Sequence, residues 1–83
     1  MLFVNKYVNS KKLENKIYIL IGSKIKSIRE SKGMTQLDVA VLCDFEKTTI
    51  SRIEAGRTNI TVKNLFKLSQ ALGVMMKDLV DIL

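Results

Sequence analysis

The stretch from Thr35 to Gly56, TQLDVAVLCDFEKTTISRIEAG, decides the fold. Thr35, with Asp38 three residues on, has the form of an N-cap and its capping-box partner, each side chain answering the other's backbone N–H. From Gln36 the apolar residues Val39, Ala40 and Cys43 recur at i, i+1 and i+4, which predicts a short helix to about Cys43. A second short helix is predicted from about Lys47 to Ala55, closed by Gly56. A gap of about three or four residues separates the two, the connection length of a helix-turn-helix.

Working outward, Ile25 and Ile28 lie on one side of a segment from Ser23 to Lys32, and Gly33 follows where a helix needs a left-handed residue. After the loop Arg57-Thr58-Asn59-Ile60, Thr61 caps a predicted fourth helix with Val62, Leu65, Leu68 and Leu72 at helical spacing, stopped by Gly73. Met76 to Leu83 predicts a brief fifth helix. Residues 1–21 form an N-terminal extension or arm and residues 22–83 the domain. In the extension Leu13, Ile17 and Leu20/Ile21 suit a helix, whereas the run Ile17-Tyr18-Ile19-Leu20-Ile21 is strand-prone, and a short strand or arm is the reading adopted.

Eighty-three residues make one domain, since two cores would leave about 40 residues each. The chain has no His, Trp or Pro, and Cys43 is its one cysteine. Disulfide frameworks, zinc ribbons and Cys/His dyads are thereby excluded within one chain, and Cys43 reads as a small core residue. No cofactor or metal site and no catalytic constellation is legible, so an enzyme is not expected. The apolar runs are too short for a membrane span or a signal peptide, which leads us to expect a cytoplasmic protein. The net charge of +6 is unevenly spread: residues 1–33 hold eight basic and two acidic residues, while residues 34–60 hold three and four. A basic excess on a small domain suits a polyanion partner, although a Lys-rich solvated surface has the same composition.

The predicted third helix has two unlike faces. Ile50 and Ile53 fall together on a helical wheel, while Lys47, Thr48, Ser51 and Arg52 fall opposite them. That second face has the cations and hydroxyls to meet base edges in a major groove, Arg and Lys being matched to guanine O6/N7.

The order of these pieces goes further than any one of them. The residues Ile25-Lys26-x-Ile28-Arg29, Gly33-Met34-Thr35-Gln36, Val39-Ala40, Thr49-Ile50-Ser51-Arg52-Ile53-Glu54-Ala55-Gly56-Arg57-Thr58-Asn59 and Leu65-x-x-Leu68-x-x-Ala71-Leu72-Gly73-Val74 together resemble the phage-repressor/Cro-like (XRE-type) helix-turn-helix family. The likeness covers about two thirds of the chain. It implies an all-α, compact five-helix, lambda-repressor-like domain that binds double-stranded DNA. By the resemblance, Lys47, Thr48 and Arg52 match base-reading positions, with Ser51 on the same face. Gln36 matches a phosphate-contacting glutamine, Thr49 a backbone-flanking position, and Arg57, Thr58 and Asn59 the phosphate-contacting loop after the recognition helix. Arg29 and Glu54 match a pair that forms an interior salt bridge.

The sequence departs from the family at Asp44, where Gly is usual in the turn; at Glu46, where a Ser/Thr-like cap is usual; at Ile60, where relatives often carry Pro; and at Leu37 and Val41, which are usually polar. Leu37 and Val41 form an extra apolar strip, expected to be covered by the N-terminal extension or by a partner chain. The function implied is a transcriptional regulator, a repressor or autoregulator, reading an inverted-repeat operator as a homodimer. The competing reading is an antitoxin or bridging factor that works mainly through a protein partner such as a toxin.

Overall fold

The structure, a computed structural model, describes residues 10–82. Five helices follow one another: α1 (Ser10–Ser31), α2 (Gln36–Cys43), α3 (Lys47–Glu54), α4 (Val62–Leu72) and α5 (Met76–Leu79). No strand occurs among the described residues. The all-α, five-helix architecture expected from the sequence is the one observed.

The largest departure lies at the N-terminal side. Of the stretch read as a short strand or arm, residues 10–21 belong to the first half of α1, which runs unbroken through Gly22 to Ser31, and residues 1–9 lie outside the described residues. Leu13, Ile17, Ile21, Ile25 and Ile28 form one continuous stripe at three- and four-residue spacing, so the β-prone run lies within a longer helical period. A strand there would also have had no neighbour to pair with, its backbone groups left unsatisfied. Gly22 reads as punctuation in sequence, yet it is a contact residue. A Cβ at Gly22 would meet the carbonyl oxygens of Ile53 and Glu54, the latter at 2.8 Å. The missing side chain lets α1 cross directly over the C-terminal end of α3. The helix ends where Gly33 takes a φ of +67° and Met34 N–H donates back to the Arg29 carbonyl.

In α2 the capping box forms as the sequence indicates: Asp38 N–H donates to Thr35 Oγ1 at 3.0 Å and Thr35 N–H to Asp38 Oδ2 at 2.8 Å. The bond from the Thr35 backbone N–H is the chief cause that holds the Asp38 carboxyl below its ordinary pKa, with hydrogen bonding from the Thr35 side chain second. Asp44 closes α2 in the left-handed conformation (φ 57°, ψ 43°), which Asp tolerates better than most residues. Its N–H donates to the Val41 carbonyl, and Phe45 N–H to that of Ala40, so three residues suffice to turn the chain into α3. Lys67 of α4 lies over the Phe45 ring, 5.4 Å from its centroid, tying that turn to the helix behind it.

Ile25, Val39, Ala40, Cys43, Ile50, Ile53, Leu65, Leu68, Leu72 and Leu79 make the common core, with Ile21 at its edge. Cys43 is one of these packed residues, and burial raises its thiol pKa. The fifth helix is shorter than the apolar residues suggest. It is a single turn ending at Leu79, which is fully buried, while Val80 is exposed and Ile82 only half-buried. One large side chain closing the base of the core leaves nothing to carry the helix further.

Candidate nucleic-acid interface

Helix α3 is anchored on one side and open on the other. Ile50, Ile53 and Glu54 are buried, whereas Lys47, Thr48, Ser51 and Arg52 are all exposed. Thr49 lies between the two faces and is half-buried. The exposed four present two cations and two hydroxyls on a helix with no large apolar residue among them, a set of donors suited to groove edges. Glu46, which precedes the helix, is exposed and makes no side-chain cap bond. It sits at the positive end of the helix dipole without satisfying an N–H.

What fixes α3 is a polar network built across three helices. Arg29 of α1 donates from Nε to Glu54 Oε2 at 2.6 Å and from Nη2 to Glu54 Oε1 at 3.0 Å. Arg29 Nη1 donates to the Met34 carbonyl at 2.7 Å, bracing the turn into α2. Gln36 Nε2, from the first turn of α2, donates to Glu54 Oε1 at 3.0 Å. Both charged residues are 8% exposed. The hydrogen bond to Glu54 raises the Arg29 pKa further above its already high value. This paired geometry satisfies the buried groups, and no buried side-chain N or O among the described residues lacks a partner.

The Gln36 amide is only partly used by this network. One amide N–H is committed to Glu54, which leaves the second N–H and the amide oxygen. Sequence spacing gave no sign of the Gln36–Glu54 bond or of the role of the Met34 carbonyl, since such long-range pairing is invisible without the fold. At the other end of α3, Arg57 N–H donates to the Arg52 carbonyl and Gly56 has a φ of +70°. Arg57 and Asn59 in the following loop are exposed, and Thr58 is half-buried. A Cβ on Gly56 would lie 2.6 Å from Ile19 Cα, so α1 seats directly against this loop.

Leu37 and Val41 are 56% and 70% exposed. Among the described residues nothing covers them, and α1 seats against the loop after α3 at Ile19 instead; residues 1–9 lie outside the described part. No group of three or more His, Cys, Asp or Glu that could hold a metal occurs among the described residues. None of the described helices is long and apolar enough to cross a membrane.

Two short helices joined by a three-residue turn, the second anchored by a buried ion pair and open along a basic, hydroxylic face, define a helix-turn-helix protein. The chain matches the helix-turn-helix family model over residues 25–79 and belongs to that family, as a DNA-binding transcriptional regulator. It is 46% identical over 70 residues to the control protein C.BamHI of Bacillus amyloliquefaciens, covering 83% of this chain and 86% of that protein. Among solved structures it is similar to the restriction-modification controller protein C.AhdI from Aeromonas hydrophila (TM-score 0.73, 26% identity), with 75% of this chain and 94% of that chain covered. It is also similar to the restriction-modification controller protein C.Esp1396I, seen as a tetramer in complex with its natural 35 base-pair operator (TM-score 0.68, 32% identity), covering 78% and 96% of the respective chains.

Proposed function

We propose that this chain is a controller protein of a restriction-modification system, acting in the cytoplasm as a sequence-specific repressor or autoregulator. It binds an inverted-repeat operator as a symmetric homodimer. Lys47, Thr48, Ser51 and Arg52 meet base edges in the major groove. Gln36, Thr49, Arg57, Thr58 and Asn59 meet the phosphates on either side and set the register of α3. The observation that carries this reading is the division of α3, with Ile50, Ile53 and Glu54 buried and the four polar residues exposed. Likeness to control proteins, one of them solved on an operator, supports the regulatory class. Two protomers side by side suit half-sites about 34 Å apart.

The test is to incubate the protein with fragmented genomic DNA at about 150 mM salt, where non-specific binding is weak, and to sequence the retained fragments. Enrichment of an inverted repeat is the expected result. A folded protein that retains no particular sequence overturns the proposal. One observation favours a second reading, that of a factor docking on another protein: the apolar Leu37–Val41 strip is exposed on α2. Co-purification of a stoichiometric partner whose release follows Val41→Lys, together with failure of the DNA selection, would establish it.

A further inference from the structure

We propose that Glu46 is a further base-reading residue, whose carboxylate accepts the N4 amino hydrogen of one cytosine in each half-site and rejects guanine and thymine there. This inference rests on the DNA-reading function proposed above and adds to it a residue that has no role there.

Glu46 stands where a helix favours a short oxygen-bearing side chain that accepts one of the first backbone N–H groups. The chain supplies one elsewhere: Thr35 accepts from Asp38 N–H at the start of α2, and Thr61 from Asn64 N–H at the start of α4. At α3 the backbone takes the same extended N-cap form, φ −69° and ψ 147°, yet the Glu46 side chain makes no cap bond. The helix dipole alone does not select Glu, since Asp would meet the dipole and cap as well. Asp44, the other acid of this turn, is accounted for by its left-handed backbone. A local rule broken without a local gain is characteristic of functional positions.

The Glu46 carboxylate is left to solvent. It is exposed and forms no hydrogen bond or ion pair with any described residue, its neighbour Lys47 included. Both lie at the N-terminal end of α3, the end from which the recognition helix of a helix-turn-helix touches base edges. With Cα atoms about 3.8 Å apart, the two residues bring an acceptor and a set of donors to the same place. An ionised carboxylate only accepts. In the major groove cytosine offers only a donor, its N4 amino group, whereas guanine offers N7 and O6 and thymine O4, all acceptors. Adenine, with its N6 amino group beside N7, is intermediate. A carboxylate brought against acceptors loses water and gains no partner, so it excludes guanine and thymine as much as it selects cytosine. The Lys47 ammonium beside it offsets repulsion from the phosphates.

The experiment takes the inverted repeat retained by the unaltered protein and replaces each half-site base pair in turn. Relative affinities are measured at one salt concentration for the unaltered protein, Glu46→Gln and Glu46→Ser. In the unaltered protein one position should favour cytosine by about 5–30-fold, the lower range of what one mismatched base pair costs. Glu46→Gln is isosteric and should move that position toward adenine, whose N6 and N7 a carboxamide meets as a pair. Glu46→Ser can cap α3 and should level the preference there. Thermal melting followed by circular dichroism checks that both variants stay folded, with the Ser variant melting no lower than the unaltered protein. Loss of a merely repulsive charge would instead strengthen binding to every sequence alike. If both variants bind all the duplexes more tightly by one factor, with every base preference kept, the inference is overturned and the DNA-reading proposal stands. If the unaltered protein retains no particular sequence, both fall together.

Discussion

Glu54→Ala removes the acceptor of three side-chain hydrogen bonds at once, two from Arg29 and one from Gln36. Arg29 stays behind at 8% exposure with the Met34 carbonyl as its remaining partner. Stranding a buried charge in this way costs about 3–5 kcal/mol. A domain of this length has about 4–12 kcal/mol of total stability at 0.05–0.15 kcal/mol per residue, so the substitution removes a large part of it. Urea denaturation followed by circular dichroism should show the midpoint falling by about 2–3 M, taking a slope of about 1.5 kcal/mol/M. The double variant Arg29→Met/Glu54→Leu removes both charges and fills the space with apolar groups. It should lie within about 1 kcal/mol of the unaltered protein or above it. Gln36→Ala breaks a single bond of the network and should cost about 1 kcal/mol. A Glu54→Ala loss below about 1 kcal/mol would refute the reasoning, because the pair would then be behaving as a solvated surface bridge.

Two further predictions come from particular residues. Gly33 and Gly56 have almost the same positive φ, but a Cβ meets nothing within 4 Å at Gly33 and lies on the Ile19 backbone at Gly56. Gly33→Ala should therefore cost about 1 kcal/mol from conformation alone, and Gly56→Ala clearly more, read as the difference in urea midpoints. The Asp38 carboxyl is held below its ordinary pKa by Thr35, so its contribution to folding is present above the unfolded value near 4 and is lost as pH falls through the lower, folded value. Stability measured against pH for Asp38→Asn should trail the unaltered protein at neutral pH and converge with it in acid; a constant gap would contradict the assignment.

Local chemistry explains which elements the sequence discloses. Thr35 with Asp38, Gly33, Gly73 and the two-faced pattern of Lys47–Glu54 act within one or two turns of helix, so spacing alone places them. The first half of α1 is not legible as helix from its middle alone, because five consecutive residues, Ile17 to Ile21, carry no period of their own. The helical stripe emerges only when Leu13, Ile25 and Ile28 are included. Gly22 resembles a helix stop and serves instead to admit the end of α3, a contact between residues about 30 apart in sequence. The exposed face of α3 was legible, whereas the hold of Gln36 on Glu54 was not, since it depends on how α2 and α3 cross. Leu37 and Val41 stood out in sequence as unusual, and the structure shows them exposed rather than under residues 10–21.

The central claim is that the exposed face of α3 reads base sequence while its flanks hold the backbone. Operator and random DNA affinities, measured at one salt concentration for the unaltered protein, Arg52→Ala and Arg57→Ala, test it most directly. Arg52→Ala should lose about 1–3 kcal/mol of discrimination at one base-pair position. Arg57→Ala should weaken both DNAs by a similar factor and flatten the salt dependence. If Arg52→Ala weakens operator and random DNA equally, leaving preference at every position intact, α3 is not the element that reads the sequence.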